Sequence, residues 1–359
     1  MPVAFAAAGS GGHVFPALAV ADELHRCGTP KSDLVFFGGD RMEASTVPEA
    51  GYPFIGVDIK GLRRSLTVEN LAIPNKVRRA RTVIANECRA RGIGAMAVFG
   101  GYVAVPAAMA ASRLKLPLVI HEANSVPGLA NKFIARRAQD VFVSFEGAKR
   151  TFPKAHLIGS PLRSTISSFN REAMRSAARR RYGLPEDGRV LGVVGGSLGA
   201  SFLNEVATLL GNDPSRDFGI VHTTGPTHLD AVAAEAETRD RWTVLGFEPG
   251  LHHLYAACDL VLCRGGAISV SEVQATRTPA IVVPLPAGGG YQRENAADLV
   301  ATGGGVVVEQ STPQDVAVVV RSIIDDADAL ARMRAAVPTV DHPKAAAVMA
   351  DRLEELAGA

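Results

Sequence analysis

Short apolar runs punctuate the chain, each ending on glycine or a polar cluster. Most are followed by a stretch with apolar residues at helical spacing. Val3–Ala8, Leu34–Phe37, Phe54–Val57, Ala95–Phe99 and Leu118–Ile120 read as strands in the first part of the chain. Val190–Val194, Gly219–His222, Thr243–Leu245, Leu260–Cys263, Ala280–Val283 and Gly305–Val308 read as strands in the second. Between them the 3.6-residue period predicts helices over Val14–His25, Phe202–Leu210, Ala267–Ala275 and Ala345–Leu356. Pro16 falls in the first turn of its helix, where proline is tolerated. A further helix is expected over Pro313–Leu330, with Thr312 as N-cap and proline at the first helical position.

The opening theme of strand, glycine loop and helix occurs twice. It appears at residues 3–25 around Gly9-Ser10-Gly11-Gly12-His13, and again at Val190–Leu210 around Gly195-Gly196-Ser197-Leu198-Gly199. Two Rossmann-like α/β halves in tandem follow, over residues 1–160 and 161–340. The last helix, 341–359, is expected to cross back onto the first half. Neither loop is a dinucleotide fingerprint. The third glycine of G-x-G-x-x-G would fall at Val14, and Leu34–Phe37 runs into Gly38-Gly39 instead of ending on a ribose-binding acid. A nicotinamide or flavin cofactor is therefore disfavoured.

The 359 residues suffice for two domains with full cores, and 47% hydrophobic with 21% charged residues reads as a soluble globular protein. No apolar run approaches the roughly 20 residues that span a bilayer, and the N-terminus lacks the basic lead of a signal peptide. Cys27, Cys88, Cys258 and Cys263 form no C-x-x-C pair, so neither zinc nor a disulfide framework is expected. The Asp325-Asp326-Ala327-Asp328 cluster reads as a solvated helix face and not as a metal site. Net charge is only +2, yet nine basic residues face two acids between Lys60 and Arg91, with Leu71, Ile73, Val77, Val83 and Ile84 interleaved. Such a surface suits anionic lipid headgroups, or else is a solvated helix face. Nucleic acid is disfavoured because stacking aromatics are missing there.

The stretch Cys263–Asn295 carries the most chemistry. Leu260–Cys263 stops at Arg264-Gly265-Gly266 and a helix begins, which gathers unpaired N–H groups and about half a positive charge at one point. That is a phosphate site by construction. Glu272 lies less than two turns further in, where a carboxylate accepts from a ribose diol, and Gln292 and Asn295 offer neutral groups suited to a sugar. The alternative is an ordinary strand–helix junction with a solvated Glu. At the ends of two earlier strands stand Gly100-Gly101-Tyr102 and His121-Glu122-Ala123-Asn124, with His121 read as a structural residue.

Six segments resemble those of the peptidoglycan N-acetylglucosaminyltransferase family, MurG, in family order. They are Gly9–Ala19, Gly100–Val103, His121–Lys132, Gly159–Arg163, Gly195–Ala200, and Arg264–Glu272 with Gln292 and Asn295. The resemblance implies a GT-B fold, two Rossmann-like domains with parallel sheets facing across a cleft. It also implies inverting transfer of GlcNAc from UDP-GlcNAc to the C4 hydroxyl of MurNAc in lipid I, giving lipid II at the cytoplasmic face of the membrane. Carried over, the substrate contacts are Ser10, Gly11, Gly12, Asn124, Arg163, Ser197, Ala267, Ile268, Ser269, Val270, Ser271, Glu272 and Gln292. Uracil would meet backbone near Glu248. No metal or cofactor is expected. The acceptor needs a general base, for which His13 is the first candidate and Glu122 the second.

The chain departs from the family pattern at Ala123, at Cys263-Arg264-Gly265-Gly266-Ala267, at Gln274-Ala275-Thr276-Arg277 and in the uncharged loop before Gln292. These departures leave open a GT-B transferase with a different lipid or natural-product acceptor. An epimerase of similar fold would need an additional acid/base set, which the sequence does not display. A nucleotide-sugar sensor would be favoured by loss of His13 or Gln292, and both are present.

Overall fold

The computed structural model describes residues 1–59, 73–196, 198–286, 290–338 and 342–358. Ser197 and the basic positions Lys60, Arg63 and Arg64 lie outside them. Two compact units form, Met1–Ser164 with Asp341–Ala359, and Thr165–Val340.

The first unit holds β1 (Val3–Ala7), β2 (Leu34–Gly38), β3 (Phe54–Gly56), β4 (Ala95–Gly100), β5 (Leu118–Glu122), β6 (Asp140–Val143) and β7 (His156–Leu157). All pair in parallel, in the order β3-β2-β1-β4-β5-β6-β7. Side chains alternate across the sheet, which explains why β1 is apolar throughout. Val3, Phe5 and Ala7 pack with the helix Gly11–Arg26 and with Met349, Ala350 and Leu353 of the C-terminal helix His342–Gly358. Ala4, Ala6 and Ala8 pack on the other side with the helices Ile73–Ala90 and Ala104–Leu114. The C-terminal helix is also tied to β6 by Arg352 Nε, which donates to Asp140 Oδ2 at 2.7 Å.

The second unit holds β8 (Arg189–Val194), β9 (Phe218–Thr223), β10 (Trp242–Leu245), β11 (Leu260–Cys263), β12 (Ala280–Val282) and β13 (Gly305–Val307). This sheet is also parallel, ordered β10-β9-β8-β11-β12-β13. In each sheet the strand order reverses beside the first strand, at β1/β4 and at β8/β11. Crevices at the carboxyl ends of such switch points are where open α/β sheets bind ligands.

Three expectations need correcting. The first helix starts at Gly11 and not at Val14, so His13 sits in its first turn. The expected helix 313–330 is two helices, Pro313–Ile324 and Ala327–Ala336. Asp326 breaks the run because its side chain accepts from Ala329 N at 2.9 Å and caps a new start. β6 and β7 escaped the apolar-run criterion because β6 opens on an ion-paired aspartate and β7 has only two residues.

Candidate functional site

At the carboxyl ends of β1, β4 and β5 three loops meet in the first unit. Gly9 adopts φ +95° and Gly101 φ +77°, and a side chain on Gly101 would collide with the Ala8 carbonyl. These glycines let two loop backbones touch. The carboxylate of Glu43, fully buried, accepts from Gly9 N at 3.2 Å, Gly39 N at 3.0 Å and the Tyr102 hydroxyl at 2.8 Å. One carboxylate thus locks the Gly9 loop to the ends of β2 and β4. Nothing in the spacing around Glu43 announces this role, and the sequence reading missed it.

His13 is held by that scaffold. Its Nδ1 lies 3.0 Å from the Ala8 carbonyl and 3.3 Å from Ser10 Oγ. A carbonyl only accepts, so Nδ1 carries the proton and Nε2 keeps its lone pair. Nε2 has no hydrogen-bond partner among the described residues, and the ring passes beside Gly100, where an added methyl would come within 2.9 Å of it. Burial lowers the pKa of His13 below the ordinary histidine value, against the charges of Glu122 and Glu43 and the Ala8 bond, which raise it. The neutral ring is therefore favoured near pH 7. Ser10 is the N-cap without a side-chain cap bond, so the N–H groups of Gly11 and Gly12 gain no partner from it.

Glu122, the second candidate base, is committed elsewhere. Its Oε1 accepts from Asn124 N at 2.9 Å, and its Oε2 from Gly128 N at 3.0 Å and Asn131 Nδ2 at 2.9 Å. Both oxygens of this buried side chain accept hydrogen bonds from the 122–131 turn, which carries Asn124. His121 is structural: its Nε2 meets Ser144 Oγ at 3.2 Å and the Gly159 carbonyl at 3.3 Å, and burial pushes it down to about 4. Arg163 lies in the same unit, its guanidinium 5.3 Å above the Phe15 ring.

The second unit carries the remaining candidates. The helix Ala267–Ala275 begins at Gly266 with no side-chain cap and no acid in its first turn. Gly266, Ile268 and Ser269 are half-exposed, whereas Val270, Ser271 and Glu272 are buried. Its first turn is thus half-exposed and uncapped, which suits an anion. Gly265 lies so close to the Gln292 carbonyl that no side chain fits, and Asn295 Nδ2 donates to Gly265 O at 3.0 Å. Gln292 Oε1 accepts from Leu285 N at 3.1 Å, which fixes that side chain beside the β11 loop. Glu272 accepts from the Tyr255 hydroxyl at 3.0 Å, a partner the sequence did not suggest. Glu248 turns its side chain inward, accepting from the Tyr182 hydroxyl at 2.8 Å and Gly250 N at 2.8 Å. In the β8 loop Gly199, at φ +77°, abuts the Thr224 carbonyl.

The candidates therefore fall into two groups. Ser10–His13, Glu122, Asn124 and Arg163 belong to the first unit, and Ala267–Glu272 and Gln292 to the second. Residues 3–143 match the glycosyltransferase family 28 N-terminal domain and residues 190–351 the family 28 C-terminal domain. A protein of Mycolicibacterium vanbaalenii named UDP-N-acetylglucosamine--N-acetylmuramyl-(pentapeptide) pyrophosphoryl-undecaprenol N-acetylglucosamine transferase is 37% identical, over 99% of this chain and 90% of its own length. A Rhodococcus erythropolis protein of the same name is 36% identical over 98% and 93%. Among solved structures, Acinetobacter baumannii MurG superposes with a TM-score of 0.76 at 28% identity, covering 99% of this chain and all of that one. A Listeria monocytogenes UDP-N-acetylglucosamine 2-epimerase superposes at 0.68 with 15% identity over 99% and 96%, a likeness of fold alone.

Proposed function

We propose that this chain, which belongs to glycosyltransferase family 28 and within it to the MurG N-acetylglucosaminyltransferases, works with His13 as base and the Gly266–Glu272 helix start as donor site. It transfers GlcNAc from UDP-GlcNAc to lipid I, forming lipid II. Near-full-length identity of 37% to enzymes named for that reaction carries the reading, since the fold is shared with an epimerase.

The chemistry follows from the groups described. His13 Nε2 takes the proton of the MurNAc C4 hydroxyl as its oxygen bonds to C1 of GlcNAc. The C1–O bond to UDP breaks on the opposite face, inverting C1. Negative charge grows on the departing diphosphate, where the uncapped N–H groups of Gly266, Ala267 and Ile268 stabilise it electrostatically. Glu272, held by Tyr255, accepts from the ribose hydroxyls. Asn124 and Gln292 contact sugar hydroxyls, and Ser10, Gly11 and Gly12 lie against the reacting sugars. Val270 and Ser271, buried behind the helix start, support it without direct contact. Arg163 and Ser197 are assigned to the diphosphate. Incubation with UDP-GlcNAc and a lipid I analogue is expected to release UDP. Release only with a different lipid acceptor would overturn the assignment.

Among the described residues no helix is long and apolar enough to cross a membrane. The reading includes peripheral attachment to an anionic cytoplasmic membrane face through the first unit. The helix Ile73–Ala90 exposes Arg78, Arg79 and Val83. It shares a core with Ala104–Leu114 and with the short helix Leu129–Ile134. That short helix exposes Leu129 (84%) and Phe133 (57%) beside Lys132, Arg136 and Arg137. Basic residues near an anionic surface contribute about 1 kcal/mol each. Arg78→Glu with Arg79→Glu is therefore expected to weaken binding to phosphatidylglycerol vesicles about tenfold or more, with turnover of a soluble acceptor analogue retained. Unchanged vesicle binding would sink the membrane assignment.

A further inference from the structure

At the amino-terminal end of β11, away from the strand ends that carry the donor groups, the second unit has a cavity of about 750 Å³. Arg171, Arg175, Arg277 and Arg334 line it, with Asp259 and Glu172. Asp259 is shared among arginines: Arg175 reaches Oδ1 at 2.8 Å, Arg179 reaches Oδ2 at 3.0 Å, and Arg334 stands at 3.5 Å from Oδ1. Glu172 is exposed and makes no ion pair among the described residues. Five guanidiniums thus face two carboxylates.

Two of these arginines have capacity to spare. Arg175 Nη1 is buried without a hydrogen-bond partner. Arg277 is exposed, its side chain makes no hydrogen bond or ion pair among the described residues, and its backbone holds φ +50°. A left-handed backbone favours glycine and costs other residues about 1 kcal/mol or more, so Arg277 keeps a charge at the cavity rim against local strain. Arg171, by contrast, is spent on structure, donating to Cys258 O at 2.6 Å and Thr278 Oγ1 at 2.6 Å.

We infer that this cavity is a second anion site, taking a phosphoryl group between Arg175, Arg277 and Arg334, separate from the donor site. Guanidiniums match phosphate oxygens in pairs, and such charge-assisted contacts are the strong ones. Burial lowers Arg171 to about 9, and repulsion from Arg334 adds to the lowering. A bound phosphate would relieve it.

The test titrates the full chain with inorganic pyrophosphate by calorimetry in saturating UDP, which keeps the donor site filled. One further equivalent of pyrophosphate is expected to bind. Arg277→Gly removes the charge and relaxes the backbone, so it should fold at least as well, and Arg334→Gln removes a second contact without touching the donor groups. Each is expected to weaken pyrophosphate at least fivefold while leaving UDP affinity within twofold. Inorganic phosphate binding as well as pyrophosphate would mark a single-phosphoryl site, and pyrophosphate alone a diphosphate one. No saturable binding beside UDP, or equal binding in both variants, would overturn the inference.

Discussion

His13→Ala is expected to lower kcat by about 10²–10⁴-fold, the range that a positioned general base supplies, with KM for UDP-GlcNAc nearly unchanged. The selectivity follows from placement. His13 belongs to the first unit, whereas Glu272, assigned to the ribose, and the Gly266–Ile268 helix start, assigned to the diphosphate, sit in the second. Its Nδ1 is held by the Ala8 carbonyl at 3.0 Å, so the ring acts only through Nε2. The pH profile gives an independent readout. A base works when deprotonated, and burial lowers His13 below the ordinary histidine value. Wild-type kcat should therefore hold from neutral pH down past about 6.5 and fall only below that, as the ring gains its proton. In His13→Ala this acid limb should vanish. A variant with near-normal kcat, or with the limb intact, would remove His13 from the chemistry. Glu122→Gln discriminates further: the amide keeps an acceptor for the 122–131 turn, so activity should survive far better than in His13→Ala.

Glu272→Ala is expected to reduce kcat/KM for UDP-GlcNAc by about 10–100-fold, the equivalent of one charge-assisted hydrogen bond at about 1.5–3 kcal/mol. KM should carry most of the change, because ribose contacts form alike in ground and transition states. Tyr255→Phe removes the hydroxyl that holds the carboxylate at 3.0 Å and should give the same direction with a smaller effect. Discrimination between uridine and 2′-deoxyuridine donors supplies the sharper test. Wild type should favour the ribose, and Glu272→Ala should not. An unchanged preference would place the ribose elsewhere.

Much of the architecture was legible because it rests on local rules. Val3–Ala8 is apolar at every position because both faces of β1 are covered, and Ala267–Ala275 declares itself by its Gly265-Gly266 start. The helix expected over 313–330 was misread because propensity ran across Asp325-Asp326, while Asp326 spends its side chain on capping Ala329. β6 was missed because Asp140, polar in sequence, is satisfied by Arg352 from the far end of the chain.

The candidate site divides along the same line. Glycine loops, helix starts and the identities of His13, Glu272 and Gln292 are short-range features, written in consecutive residues. Which groups are free to act depends on partners distant in sequence. Glu43 reaches Gly9 across 34 residues and Tyr102 across 59, and Glu272 meets Tyr255 across 17. Glu122 looked like a base in its strand-end motif and became a clamp once Asn131 closed on it. Hydrogen-bond capacity is finite, so packing occupies the Glu122 carboxylate and leaves one imidazole nitrogen of His13 unspent, which is why the proposed mechanism assigns the base to His13.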